Sequence, residues 1–192
     1  MQTKLTRTLA LPIAAILAAG ILSGCSVGAS TPSPALDTPI GIDDGVIETG
    51  DSISPFADDL PAIARLDPAL RDAMQDAADD AIADGFEFVV TSGWRSERYQ
   101  QELFDQAVRD YGSDEEARKW VAPADISSHV TGHAVDIGFT DANSWLSQHG
   151  ADYGLCQTYA NEMWHFELAT TPGGECPAQL TDPSSASGRS QG

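Results

Sequence analysis

The stretch Ser127–Asp136 reads S-S-H-V-T-G-H-A-V-D, and further along the chain Glu162–His165 reads E-M-W-H. Together the two segments offer two imidazoles and a carboxylate as metal ligands, and a second carboxylate for acid–base chemistry. Catalytic zinc sites typically use about three such protein ligands and leave a fourth position for water. The two segments therefore predict a catalytic metal site.

Asp136 is the ligand that the residues themselves indicate most directly. It lies within the predicted strand Ala134–Phe139, whose other side chains are almost all apolar. A buried carboxylate is costly unless it is paired or bound to a metal. Gly132 would let the chain turn between His129 and Asp136.

His133 is an alternative ligand, because it follows His129 by four residues, the spacing of the H-E-x-x-H zinc helix. However, Gly132 argues against a helix here, and no glutamate follows His129. We therefore predict that His133 is a neighbour of the site and not a ligand.

Three segments carry a resemblance to a known family: S-x-H-x-x-G-x-A-x-D at 127–136, E-x-W-H at 162–165 and S-G-W-R-S at 92–96. They resemble the VanY-like zinc D-alanyl-D-alanine carboxypeptidases and dipeptidases of peptidoglycan metabolism, over residues 91–168. The resemblance implies a Hedgehog/DD-peptidase-like fold and one zinc ion. The ligands it implies are His129, Asp136 and His165.

The same resemblance implies roles for further residues. Glu162 is predicted to be the general base, with Glu167 as the rival, because Glu167 shares a strand face with His165 and could instead orient it. Arg95 is predicted to stabilise the oxyanion or to hold the substrate carboxylate, the alternative being a surface salt bridge. Two positions are predicted to bind substrate: Ser127 and Gln100.

Hydrophobic periodicity predicts helices alternating with short strands. The first predicted helix is capped by Asp67 and ended by Gly85, and its inward residues are Leu70, Met74, Ala77, Ala78, Ala81 and Ile82. The second is capped by Ser96 and presents Tyr99, Leu103, Ala107 and Val108. A short helix follows Ser113, and a last one spans Thr140–Gln148. The predicted strands are 86–91, 134–139 and 163–169, with Trp164 in the core. This pattern predicts an α+β fold, helices packed on a small antiparallel sheet.

The charge is strongly acidic, with 10 basic and 29 acidic residues and a net charge of −19. This argues against nucleic acid as a partner, since phosphate binding needs a basic surface. With 192 residues the chain has room for one domain and its tails, and a monomer is expected.

The N-terminus predicts export and a lipid anchor. The apolar run Leu9–Leu22 follows Lys4 and Arg7, is short for a membrane span, and leads into L-S-G-C at 22–25, which resembles a bacterial lipobox. We predict lipidation of Cys25 and an extracytoplasmic lipoprotein held at the membrane. An ordinary secretory signal with a chance cysteine is the alternative.

Composition divides the chain into four parts. Residues 1–24 are predicted to be the lipoprotein signal peptide, 25–54 a flexible tether, 55–180 the zinc peptidase domain and 181–192 a disordered tail. Cys156 and Cys176, an even pair in an exported domain, are predicted to form a disulfide, with two unpaired thiols as the alternative.

The predicted function is trimming of D-Ala from peptidoglycan stem peptides. A D,D-dipeptidase, a stem-peptide endopeptidase and a wall-binding lipoprotein without turnover stay open as alternatives. Glu162 counts against the binding protein, because a binder needs no proton shuttle.

Overall fold

The computed structural model describes residues 38–188 and has a four-stranded antiparallel sheet flanked by helices. The elements are α1 (Pro61–Ala64), α2 (Pro68–Ala83), β1 (Val89–Ser92), α3 (Glu97–Tyr111), α4 (Asp114–Ala117), β2 (Val135–Gly138), α5 (Thr140–His149), β3 (Leu155–Gln157) and β4 (His165–Leu168). Short 3₁₀ turns span Ile42–Asp44, Gly150–Tyr153 and Pro183–Gly188. The predicted α+β architecture is confirmed.

The sheet has the strand order β1-β2-β4-β3, and each pair of neighbours is antiparallel. β2 is therefore an inner strand, and all four of its residues are buried. The register sets Asp136 opposite His165 on β4 and Ser92 on β1. The sheet thus brings one carboxylate and one imidazole together from segments that are distant in sequence.

Helix α2 covers one face of this sheet. The Asp67 carboxylate caps it by accepting hydrogen bonds from two backbone N–H groups of its first turn. Its buried face packs in one apolar cluster with sheet residues such as Val135 and Phe166. The prediction that Ile82 is inward was wrong, because it is 49% exposed. Consecutive helical residues are about 100° apart, and its neighbour Ala81 occupies the buried stripe.

Helix α3 begins at the predicted cap, where the Ser96 hydroxyl accepts from the Tyr99 N–H. Its buried residues, however, are Gln100, Phe104 and Ala107. Tyr99 and Leu103, which were predicted to share one face of this helix, are half-buried and line a cavity. A polar residue takes the inward position because both ends of its amide are bonded there.

The strands are shorter than predicted, and one was missed. β1 begins at Val89 and not at residue 86. The missed strand, β3, has three residues and pairs with β4 at the edge of the sheet. Three residues are too few to give a recognisable alternation of apolar and polar side chains.

Residues 39–54, here called the N-terminal strap, are folded onto the domain, which corrects the predicted tether over this range. Ile53 exchanges two backbone hydrogen bonds of 2.9 Å with Val90 of β1. The buried Asp44 accepts from the Ser96 hydroxyl at 2.7 Å and from Arg98 Nε at 2.6 Å. These are long-range polar contacts, which local composition does not reveal.

The C-terminal boundary also lies further along than predicted. Leu180 bridges to Tyr159, and the 3₁₀ turn Pro183–Gly188 places Pro183 in a buried position. Residues 181–188 therefore belong to the folded domain. The predicted signal peptide and Cys25 lie outside the described residues. Within the described range no helix has the length and apolar character needed to cross a membrane.

The predicted disulfide is confirmed, because Cys156 and Cys176 are bonded to each other. The bond joins β3 to the segment after β4 and closes a loop with a sequence separation of 20. Closing a loop of this length stabilises a fold by about 3 kcal/mol in the chain-entropy model. Because the loop contains Glu162 and His165, the bond also restrains the segment that carries them.

Candidate metal centre and active-site cleft

Asp136 is held at the centre of the site by the alternation of β2. Its neighbours Val135 and Ile137 point into the apolar core, so the side chain of Asp136 lies on the opposite face of the sheet. It is only 6% exposed. Its Oδ1 faces two imidazoles, and its Oδ2 accepts from Arg95 Nη2 at 3.1 Å.

His129 reaches Asp136 from the turn before β2. Gly132 in this turn has φ +75°, and a Cβ there would lie 2.6 Å from the Arg65 carbonyl oxygen, so the turn requires glycine. His129 Nδ1 lies 2.8 Å from the Gly93 carbonyl oxygen, which can only accept a hydrogen bond. Nδ1 therefore carries the proton, and the lone pair of Nε2 faces Asp136 Oδ1 at 3.4 Å.

His165 is oriented in the complementary way. Its Nε2 donates to Glu167 Oε1 at 2.9 Å, two residues along the same strand. Its Nδ1 therefore points inward, 3.2 Å from Asp136 Oδ1 and 3.7 Å from Glu162 Oε2. Hydrogen bonds that fix the outer nitrogen in this way are usual for metal-binding histidines.

These residues fit a metal ion. The ligand atoms of His129, Asp136 and His165 lie within 4.8 Å of one another. With the outer nitrogens protonated, two inner imidazole nitrogens and a carboxylate oxygen converge on a position that favours a cation. Two nitrogens and one oxygen with an open fourth side form a donor set suited to catalytic zinc.

The electrostatics of the three residues agree with this assignment. Burial, reinforced by Arg95, lowers the pKa of His129, which keeps this imidazole neutral as a ligand must be. Burial opposes the charge of Asp136, but the histidines and Arg95 hold its pKa well below its usual range. Burial likewise opposes a charge on His165, yet Asp136 and Glu167 raise its pKa to about 10. The cluster therefore stabilises a positive charge at His165 Nδ1, either a proton shared with Asp136 Oδ1 or a metal ion that takes its place.

The two candidate bases lie in different positions. Glu162 is buried in the turn before β4, and its carboxylate approaches His165 from the side of Asp136. Glu167 contacts the outer nitrogen of His165 and lies away from the convergent lone pairs. Burial raises the pKa of Glu162 to about 7, whereas Glu167 has a lowered pKa, because the hydrogen bond and charge of His165 outweigh its burial.

Arg95 lies beside the metal ligands, held on three sides. It donates to the Ser92 hydroxyl at 2.8 Å, to Gln100 Oε1 at 3.0 Å and to Asp136 at 3.1 Å. A guanidinium has five N–H donors, so these contacts leave two for a ligand in the cleft that Arg95 lines. The alternative of a surface salt bridge was wrong, because the side chain is only 15% exposed and its partner is buried.

Gln100 and Ser127 occupy different positions in the site. Ser127 is buried and contributes to the lining of the cleft, as expected of a substrate contact. Gln100 is 1% exposed, accepts from Arg95 and donates to the Ala122 carbonyl oxygen at 2.6 Å. These contacts make it a support for Arg95. Gln100 also lines the cleft, so its role as a substrate contact stays a prediction.

The cleft has a volume of about 230 Å³ and opens onto the metal ligands. Trp164, predicted to lie in the core, is 41% exposed and forms part of its rim. Trp164 belongs to the turn before β4, where strand alternation does not direct its side chain into the core. Tyr159 was missed by the sequence analysis. Its ring lines the cleft, and the centroids of the Tyr159 and His165 rings are 5.0 Å apart. No local motif distinguishes Tyr159.

His133 lies outside the cluster, as predicted. It is exposed, and its Nδ1 contacts the Thr131 hydroxyl at 2.9 Å.

The fold and the site define a class: an α+β protein with a buried His–Asp–His metal cluster that opens into a cleft. The family model for D-alanyl-D-alanine carboxypeptidase, VanY, matches residues 63–171, more than half of the chain. The chain belongs to this VanY family.

One curated relative is the D-alanyl-D-alanine carboxypeptidase of Enterococcus faecalis (strain ATCC 700802 / V583), 32% identical over 127 residues. The match covers 53% of this chain and 47% of that protein, so the chain spans about half the length of the curated relative it matches.

Three solved structures are similar to this chain, with sequence identities of 25% to 29%. One is a mutant of the vancomycin resistance D,D-pentapeptidase VanY from a VanB-type cassette, in complex with Zn(II). It is 29% identical with a TM-score of 0.50, and the match covers 53% of this chain and 71% of that chain. VanYB in complex with D-alanine-D-alanine gives the same identity and TM-score, covering 53% and 70%. The LD-carboxypeptidase LdcB is 25% identical, covers 68% of this chain and 69% of that chain, and has a TM-score of 0.52.

Proposed function

We propose that this protein is a zinc-dependent D-alanyl-D-alanine carboxypeptidase that trims peptidoglycan stem peptides. The observation that carries the proposal is the position of Glu162, a buried carboxylate with a pKa near 7 that faces the His–Asp–His cluster from the cleft. The family match and the relatives that bind Zn(II) and D-alanine-D-alanine support it.

In this proposal His129, Asp136 and His165 hold the zinc ion. Bound there, zinc supplies Lewis acidity and lowers the pKa of a water molecule to about 7. Glu162 accepts the proton from the attacking water and passes it to the amine that leaves. A carboxyl group with a pKa close to the working pH suits both transfers.

Arg95 stabilises the negative charge that develops on the scissile carbonyl oxygen. Its orientation is fixed by Ser92, Gln100 and Asp136, so its two remaining donors need no rearrangement when the charge appears. Ser127 offers a hydroxyl to the bound peptide from the wall of the cleft.

The test of catalysis is Glu162→Gln, which keeps the shape of the side chain but cannot accept a proton. Zinc content and peptide affinity should stay near wild type, while turnover falls about 10²–10⁴-fold. If the wild-type protein binds stem peptides and releases no fragment with zinc or any other metal, it is a wall-binding protein and the proposal fails.

The cleaved bond is identified with defined stem peptides and mass analysis of the products. Release of D-Ala from a pentapeptide ending in D-Ala-D-Ala is expected. Release of D-Ala from the tetrapeptide alone would give L,D specificity, the specificity named for LdcB. Release of an intact dipeptide, or cleavage within the stem, would identify a dipeptidase or an endopeptidase.

We also propose that the protein is exported and anchored through a lipid on Cys25. The L-S-G-C sequence at 22–25 supports this, because small residues precede the cysteine directly after an apolar run. Cys25→Ala should release the protein from the membrane fraction or leave it unprocessed. Processed protein that still partitions with membranes after this change would exclude the lipid anchor.

A further inference from the structure

A second cavity, of about 480 Å³, continues the active-site cleft on the side of the N-terminal strap. Arg95, Asp136 and Trp164 line both cavities, so the second cavity lies directly beside the cleft. One wall of the second cavity is the strap segment 47–52. We call this cavity the strap pocket.

The wall formed by the strap is firmly attached. Asp44 is bonded to Ser96 and Arg98 next to the Arg95 loop. Gly45 packs so closely that a Cβ would lie 2.0 Å from the Trp94 carbonyl oxygen, and Ile53 is tied to β1. The wall therefore has a defined position between two anchors. It also lies outside residues 63–171, so the family match does not account for it.

The two walls of the strap pocket have different chemistry. Phe139 and Trp164 present aromatic rings and are 55% and 41% exposed. The strap contributes Glu48 and Asp51, both exposed, and neither takes part in an ion pair within residues 38–188. Among the described lining residues the one cation is Arg95, which is already paired with Asp136.

We propose that the strap pocket is a second substrate subsite that takes an amine-bearing side chain of the stem peptide. The inference rests on the proposed function, because the substrate is taken to be a peptide cleaved in the adjoining cleft. An ammonium group is attracted both by carboxylates and by aromatic faces, and the pocket presents both. Glu48 and Asp51 then discriminate between peptides by the charge of a residue away from the cleaved bond.

The test uses two peptides that are identical except for one side chain, a lysine or its acetylated form. Their affinities for the zinc-loaded full chain are measured by calorimetry, and D-Ala release is measured in parallel. The wild type should bind the amine-bearing peptide about fivefold more tightly, because one or two exposed ion pairs raise affinity by a factor of this size. The Glu48→Gln, Asp51→Asn double variant should lose most of this preference and keep only the part that the aromatic rings contribute.

A matched control is the Asp76→Asn, Asp79→Asn variant, which changes the net charge equally at exposed positions of α2. It should keep the preference, since its carboxylates do not line the pocket. Equal wild-type affinities, or a preference that is undiminished in the Glu48, Asp51 variant, would overturn the subsite. A preference without release of D-Ala would refute the proposed function and leave the subsite standing.

Discussion

Two buried carboxylates in this protein each pair with an arginine, yet their surroundings differ in kind. Asp136 is 6% exposed and contacts Arg95, while Asp44 is 4% exposed and contacts Arg98. Burial and an ion pair alone would give them the same description. The difference lies in what else each carboxylate faces.

Asp44 is surrounded by hydrogen-bond donors: the Ser96 hydroxyl, the Gly41 N–H and Arg98. Its charge is satisfied within the protein, and it fastens the strap to α3. Asp136 accepts from Arg95 with one oxygen, while its other oxygen faces the inner nitrogens of His129 and His165, whose outer N–H groups point elsewhere. The balance of donors and acceptors therefore distinguishes a structural carboxylate from a metal ligand, which the degree of burial does not.

The comparison is tested most strongly by replacing each carboxylate with its amide. Asp136→Asn should lose most of the bound zinc and with it the turnover. Asp44→Asn should keep zinc at the wild-type ratio but lower the free energy of unfolding by about 1–3 kcal/mol, the value of hydrogen bonds to a charged group. Metal analysis and chemical denaturation measure the two effects. Zinc loss in Asp44→Asn, or full zinc content in Asp136→Asn, would break the distinction.

A smaller effect is expected at the glutamate that orients His165. Glu167→Gln keeps an oxygen that can accept a hydrogen bond from His165 Nε2. We therefore expect about a tenfold loss of activity or zinc affinity, the lower limit of the loss typical for residues that support a metal ligand. Comparison of turnover with Glu162→Gln decides the roles. If Glu167→Gln abolishes turnover while Glu162→Gln is nearly unaffected, the base has been assigned to the wrong residue.

The Asp44 cluster should also give a stability difference that depends on pH. The hydrogen bonds and charge of Arg98, with help from Ser96 and Gly41, outweigh burial and lower the pKa of Asp44 to about 2 from its ordinary value of 3.8. The carboxylate therefore stabilises the fold above pH 4, and this contribution is lost as the pH falls towards 2. The difference in unfolding free energy between wild type and Asp44→Asn should shrink over that interval. A difference that stays constant down to pH 2 would show that the charge is unimportant.

The smallest effect is expected at the histidine outside the metal cluster. His133→Ala should leave zinc content and turnover near wild type, because this side chain is exposed and contacts only Thr131 within the described residues. Loss of zinc in this variant would return His133 to the ligand set.

The sequence by itself was enough to predict the elements whose signals are local. Asp67 and Ser96 cap helices because the cap and the N–H groups it accepts from lie within three residues of each other. The ligand set was implied by the resemblance of two short motifs to the VanY family. The residues alone indicated Asp136, because a carboxylate within an apolar strand needs a partner. The disulfide could be predicted from the pair of cysteines in the domain together with the expectation that the domain is exported.

Tertiary structure decided what depends on contacts between distant segments. The strap has no periodic pattern, and it is ordered by Asp44 bonding to residues more than fifty positions away. The helix pattern of α3 favoured apolar residues inward, but Gln100 is inward because Ala122 and Arg95 bond its amide. Trp164 was predicted to lie in the core but forms part of the rim, because β4 begins only at His165 and Trp164 lies in the preceding turn. A local pattern shows which face of an element is apolar, whereas the partners that satisfy a buried polar group are known only once the chain has folded.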